Sequence, residues 1–206
     1  MSHSGRAMDR RIKRTRQAIQ EALVSLIAEK GFDSLTIQDI IERADINRST
    51  FYYHYEDKQD LLQQSIREML EQAVTEIESA TNSVQAVGTS LKYNPMPRFI
   101  CLFEHIHRNR EFYRVMVGHV PGFIWKTVEM IKEHILKDIT LLNSDPQKLQ
   151  VPGPFLAHYS AGALMMVIKG WLDKDLPYSA DFMAEQLTKI MRSGLYSVAG
   201  IQLSDE

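Results

Sequence analysis

Apolar residues recur along this chain at intervals of three and four, and glycine or proline interrupts each run. That interval places them on one side of an α-helix, while the alternation that marks a strand is weak throughout. The first run is Ala18, Ile19, Ala22, Leu23, Leu26 and Ile27, which predicts a helix over about 12–29. Gly31 stands where a C-terminal cap falls, and Phe32 can pack back beneath it. A shorter run follows in Ile37, Ile40, Ile41 and Ala44. Thr36 precedes it as a cap, with Asp39 three residues on. Asp45, Ile46 and Asn47 then form a three-residue turn, and Asn47 suits the N-cap of a third helix.

On that third helix Phe51, Tyr52 and Tyr55 share a side that can enter a core. The opposite side carries Arg48, Ser49, Thr50, Tyr53 and His54, all able to hydrogen-bond and none acidic. Asp57 caps a fourth helix expected over about 58–80. A polar break over 81–94 separates these elements from a body richer in aromatics and methionine. There the pattern predicts two helices or one bent helix over 95–117, then helices over 122–142, 155–172 and 178–198. The fold class is therefore all-α. The expected division is a basic flexible arm at 1–9, a three-helix head at 10–56 and a larger helical body at 57–206.

Two short helices joined by a tight turn, the second presenting donors and acceptors, is the helix-turn-helix arrangement that reads DNA. The net charge of −2 over 206 residues says little about nucleic acid, but its distribution does. Arg6, Arg10, Arg11, Lys13, Arg14 and Arg16 stand against one acid, Asp9, in the first 16 residues. Such a segment beside a reading helix supplies the cations that phosphate neutralisation requires. By reach, Arg48, Ser49 and Thr50 at the start of the third helix meet base edges. Arg48 can take both guanine acceptors or act as a phosphate clamp. Thr36 can offer its hydroxyl and the amides behind it to a backbone phosphate while also capping. Tyr52 reads as core rather than contact.

This stretch resembles the DNA-binding region of TetR-family transcriptional regulators. The resemblance rests on Ala44, Ile46, Asn47, Phe51-Tyr52-Tyr53-His54-Tyr55, Lys58 and Leu61-Leu62, and extends more loosely over 12–32. Asp45 departs from it, since the family usually has glycine there; the turn needs a left-handed residue, which Asp tolerates better than most. The resemblance implies that Tyr53 and His54 touch phosphates and that Lys58 lies beside DNA. It also implies a homodimer on a near-palindromic double-stranded operator, with an effector in the body altering the spacing of the two reading helices.

In the body, Phe99, Phe103, His107, Phe112, Trp125, Met165 and Met166 are candidates to line a pocket for a small apolar or aromatic effector, with plain core as the alternative for each. Ala157, Ala161, Leu164 and Ile168 form one candidate dimer stripe, and Leu187, Ile190 and Met191 another. No metal, cofactor or catalytic constellation is expected. His105, His107, His119, His134 and His158 lack ligand spacing, and Cys101 is single. No run of 18 apolar residues predicts a membrane span, and the polar N-terminus does not predict a secretory leader. A cytoplasmic regulator, most simply a repressor, is the expectation. A regulator acting as an activator, or through a protein partner with no small-molecule effector, is the alternative, and an enzyme using the helical pocket ranks below both.

Overall fold

The computed structural model describes residues 3–85, 94–142 and 149–199. Among them are ten helices and no strand: α1 (His3–Lys30), α2 (Ile37–Arg43), α3 (Arg48–His54), α4 (Lys58–Gln85), α5 (Met96–Arg108), α6 (Arg110–His119), α7 (Phe123–Leu142), α8 (Gly153–Asp173), α9 (Ala180–Ser193) and α10 (Leu195–Val198). α1 starts well before residue 12, because Arg6, Ala7, Met8, Arg10 and Arg11 in its N-terminal segment are good helix formers. The stretch expected as a flexible arm is thus helical from residue 3 onward. Near the C-terminus the expected single helix is two. Gly194, at φ 78°, ends α9, a backbone that glycine adopts without a steric penalty. The polar break expected at 81–94 lies partly outside the described residues, and α4 continues to Gln85.

The chain divides into two compact units, one of Met1–Leu70 with Arg114–Lys126 and one of Glu71–Tyr113 with Thr127–Glu206. The division falls inside α4. In the first unit, Ile19, Leu23, Ile27, Leu35, Ile40, Phe51 and Leu61 are almost wholly buried and form the core around which α1 to α4 pack. α2 lies against both α1 and α3. Its tie to α1 is also polar: Arg43 donates to both carboxylate oxygens of Glu29 at 2.7 Å and to Ser25 Oγ at 2.7 Å. In the second unit α5 lies along α9. Phe103, Ile106, Met165, Ile168, Trp171 and Ala184 fill its interior, with the Phe103 and Trp171 rings edge to face at 5.2 Å.

Candidate nucleic-acid interface

The turn ahead of α3 is built by local chemistry. Asp45 sits at φ 51°, the left-handed conformation the turn demands. Asn47 is the N-cap: its side-chain oxygen accepts from the Thr50 amide at 2.8 Å. The same oxygen accepts from the hydroxyls of Ser49, at 2.7 Å, and Thr50, at 2.8 Å. Both hydroxyl protons therefore point inward, and these two side chains turn lone pairs outward. Acceptors in that position match the amino groups of cytosine N4 or adenine N6.

Phe51 and Tyr55, four residues apart, are buried, and they anchor α3 in the head. Tyr55 Oη is enclosed without a hydrogen-bond partner among the described residues. Burial pushes its pKa up to about 12, against the opposing pull of Arg16, whose guanidinium lies 5.4 Å from the ring centroid. Arg16 itself turns inward to Glu68 and Gln64 of α4.

Tyr52 corrects the sequence reading. It is 46% exposed, not core, because the position next to Phe51 is rotated about 100° away from the buried side. Its hydroxyl accepts from Arg48 Nη2 at 3.4 Å. Its position one turn after Arg48 was the available signal. Tyr53 is 74% exposed, and its ring meets His54 edge to face at 4.9 Å. His54 is half-buried; burial, and then the Arg16 charge, hold its pKa below the usual imidazole value. It is neutral at pH 7 and offers one N–H. Arg11, Lys13 and Arg14 of α1 are exposed.

Two other expected contacts are differently employed. The Thr36 hydroxyl and amide both donate to Asp39 Oδ2 at 2.7 Å, and the Asp39 amide donates back to Thr36 Oγ1 at 3.2 Å. Lys30 pairs with the same carboxylate at 2.7 Å, and its hydrogen bond is the first reason, ahead of Thr36, that the Asp39 pKa is well depressed. The start of α2 is therefore occupied by the chain's own anion. Lys58 Nζ is committed to three backbone carbonyls within the head.

The candidate pocket residues differ in burial. Phe103, Phe112 and Met165 are packed core, whereas His107, Trp125 and Met166 are exposed, Trp125 to 75%. Phe99 is half-buried. A cleft of about 400 Å³ lies elsewhere in the second unit, lined by Leu136, Ile139, Thr140, Leu149, Pro152 and Pro154.

The α8 dimer stripe is also rotated from its expected position. Ala157, Ala161 and Ile168 face their own unit's core, at 3% exposure or less, and Leu164 is half-buried. The outward side is Phe155, Tyr159 and Met166, each at least half exposed. On α9, Ile190 and Met191 do face outward, followed by Leu195, and Leu187 is half-buried.

Comparison with known proteins accords with this geometry. Residues 19–64 match the model of the bacterial regulatory proteins of the tetR family, and residues 93–193 match a transcriptional regulator C-terminal region. The chain belongs to the TetR family of transcriptional regulators. It is 25% identical over 203 residues, 93% of its own length, to the HTH-type transcriptional regulator YxbF of Bacillus subtilis, and spans 48% of that protein. Over 43 residues, 21% of this chain, it is 35% identical to IcaR of Staphylococcus epidermidis, a negative transcriptional regulator of the biofilm operon icaADBC, and spans 23% of it. The chain thus covers about half or less of these relatives. The fold is shared with FadR of Bacillus subtilis, solved in complex with stearoyl-CoA, at a TM-score of 0.58 and 15% identity over 87% of this chain and 98% of that one. Among the described residues, no helix is long and apolar enough to cross a membrane.

Proposed function

We propose that this chain is a cytoplasmic transcriptional repressor, without an enzymatic step, that binds a near-palindromic operator as a homodimer. The observation that carries the reading is the outward side of α3. Arg48, Ser49, Tyr52 and Tyr53 are exposed there, while Phe51 fixes the helix to the core from behind. A helix so presented enters a major groove, and the exposed cations of α1 supply phosphate neutralisation. Pairing draws support from the apolar outward sides of α8 and α9, which a second copy would cover. Repression draws support from the local likeness to IcaR.

The test is binding of the purified chain to DNA fragments selected from a randomised pool, followed by fluorescence anisotropy. Enrichment of an inverted repeat bound by two chains, with affinity falling linearly in log salt, supports the reading. Binding with no sequence preference sinks it.

A response to a small molecule draws support from the stearoyl-CoA complex of FadR. A second reading, regulation through a protein partner, is favoured by one observation. Phe103, Phe112 and Met165, the side chains best suited to grip an apolar effector, are already buried in the core. A thermal-shift titration with long-chain acyl-CoA separates the two, since a ligand that binds only the folded state raises the unfolding temperature.

A further inference from the structure

Arg48 and Tyr52 stand one turn apart on α3, where side chains four residues distant are neighbours. The Arg48 guanidinium carbon lies 5.6 Å from the centroid of the Tyr52 ring, and Nη2 donates to Tyr52 Oη at 3.4 Å. Ring and hydroxyl together hold a side chain that on an open surface would wander over many rotamers. The tyrosine is itself held. Its ring meets Phe51 edge to face at 5.5 Å and 89°, and Phe51 is wholly buried. Position is thus passed from the core through Phe51 and Tyr52 to the guanidinium.

The neighbouring groups give this arrangement a purpose. Ser49 and Thr50 have turned their hydroxyl protons to Asn47, so outward they accept. Arg48 is the cation at this end of α3 and supplies donors where its neighbours supply acceptors. A guanidinium has five N–H donors, and one bond to Tyr52 leaves a fork free for the N7 and O6 of a guanine. How well that fork selects guanine depends on how narrowly it is aimed.

We infer that Tyr52 is a positioning residue for base selection: it aims Arg48 at the groove floor, and the preference for guanine at one operator position depends on both side chains. The inference rests on the DNA-reading function proposed above, and it assigns Tyr52 a part distinct from a phosphate contact.

The experiment uses the full chain and its selected operator, with all four bases placed in turn at the position where Arg48→Ala removes preference. The native chain should favour guanine there by roughly ten- to a hundredfold. Tyr52→Ala should lower that ratio by about two- to fivefold. Tyr52→Phe, which keeps the ring and loses the hydroxyl, should retain most of it. Adding Tyr52→Ala to Arg48→Ala should change the ratio no further, as expected of two coupled residues. Circular dichroism confirms that each variant is folded; Tyr52 is exposed, so the substitutions leave the core intact. A ratio untouched by Tyr52→Ala, or an equal loss at every operator position, overturns the inference alone. Failure of the native chain to select any sequence overturns the regulator reading and this inference together.

Discussion

Lys58 Nζ donates to the carbonyl oxygen of Leu35 at 2.8 Å. The same ammonium donates to the carbonyls of Phe32 at 3.1 Å and Asp33 at 3.0 Å, and lies 5.0 Å from the Phe32 ring centroid. An ammonium has three protons, and here each has an oxygen. Lys58 begins α4 and the three carbonyls belong to the loop between α1 and α2, so the contact closes that loop onto α4. A residue that the family likeness puts beside DNA is, in this structure, a fastening of the head.

Lys58→Met keeps the aliphatic stem and removes the donors. The variant should lose about 1–3 kcal/mol of stability, because three partly enclosed carbonyls are left to whatever water can reach them. Thermal unfolding followed by circular dichroism reads the loss as a lower midpoint. An unchanged midpoint with weaker operator binding would return Lys58 to the role of phosphate contact.

The outward side of α8 separates two outcomes that the sequence stripe would confuse. Tyr159→Glu with Met166→Lys places charges on exposed positions, so each chain should fold and the dimer should dissociate. Ala161→Lys forces a charge into a site with no exposed surface and should unfold the body instead. Sedimentation analysis beside circular dichroism distinguishes a folded monomer from an unfolded chain. Folded dimers from the double variant would mean that pairing uses another surface.

The contrast between α3 and α8 shows how far the sequence reaches. Thr36, Asp45 and Asn47 were legible because caps and turns are set by residues within four positions of one another, and the structure places all three as their chemistry demands. The orientation of α8 was not legible, because that helix is apolar nearly all round. Ala157, Ala161 and Ile168 suit a tight interior, but Phe155, Tyr159 and Met166 make an equally good stripe. Periodicity finds a helix and cannot choose between two apolar sides. Tyr52 escapes its sequence pattern for a related reason: one step of rotation from a buried aromatic leads out of the core. The size and softness that suit Phe103, Phe112 and Met165 to a pocket suit a packed interior equally well.

Arg11, Lys13 and Arg14 are exposed on α1, and their charges should be felt through salt. Each cation that meets a phosphate contributes about −0.9 to the slope of log affinity against log salt. Replacing Lys13 and Arg14 with alanine should flatten the slope by about one to two units while leaving the preferred operator unchanged, since phosphate contacts carry no sequence information. Anisotropy titrations over a range of salt concentrations provide the slope. An identical slope would mean that these cations stay clear of the DNA.

His105 joins three helices of the second unit and should make the protein sensitive to mild acid. It is wholly buried, with Nδ1 3.1 Å from Glu76 Oε2 and Nε2 3.0 Å from Tyr113 Oη. Burial pushes the Tyr113 hydroxyl well above its ordinary pKa, so it keeps its proton and donates to Nε2, leaving Nδ1–H for the carboxylate. The imidazole is neutral in this arrangement. Burial lowers its pKa from 6.5, an effect that the Arg108 charge reinforces and the Glu76 carboxylate only partly offsets. Glu76 is itself lowered: burial opposes the shift, but hydrogen bonds with Gln72 and His105 outweigh it. A histidine with a depressed folded pKa binds its proton more readily when unfolded. Its contribution to stability is therefore complete above pH 6.5 and shrinks as the pH falls through the folded value. Glu76 acts in the same sense from 4.5 downward, and His54 adds to the upper window. The unfolding midpoint should hold steady near neutrality, decline below pH 6.5 and fall more steeply below 4.5. His105→Gln, which cannot take up a proton, should remove much of the upper decline and leave the lower one. Scanning calorimetry of both chains from neutral pH to pH 4 makes the comparison, and parallel curves would show that protons enter elsewhere.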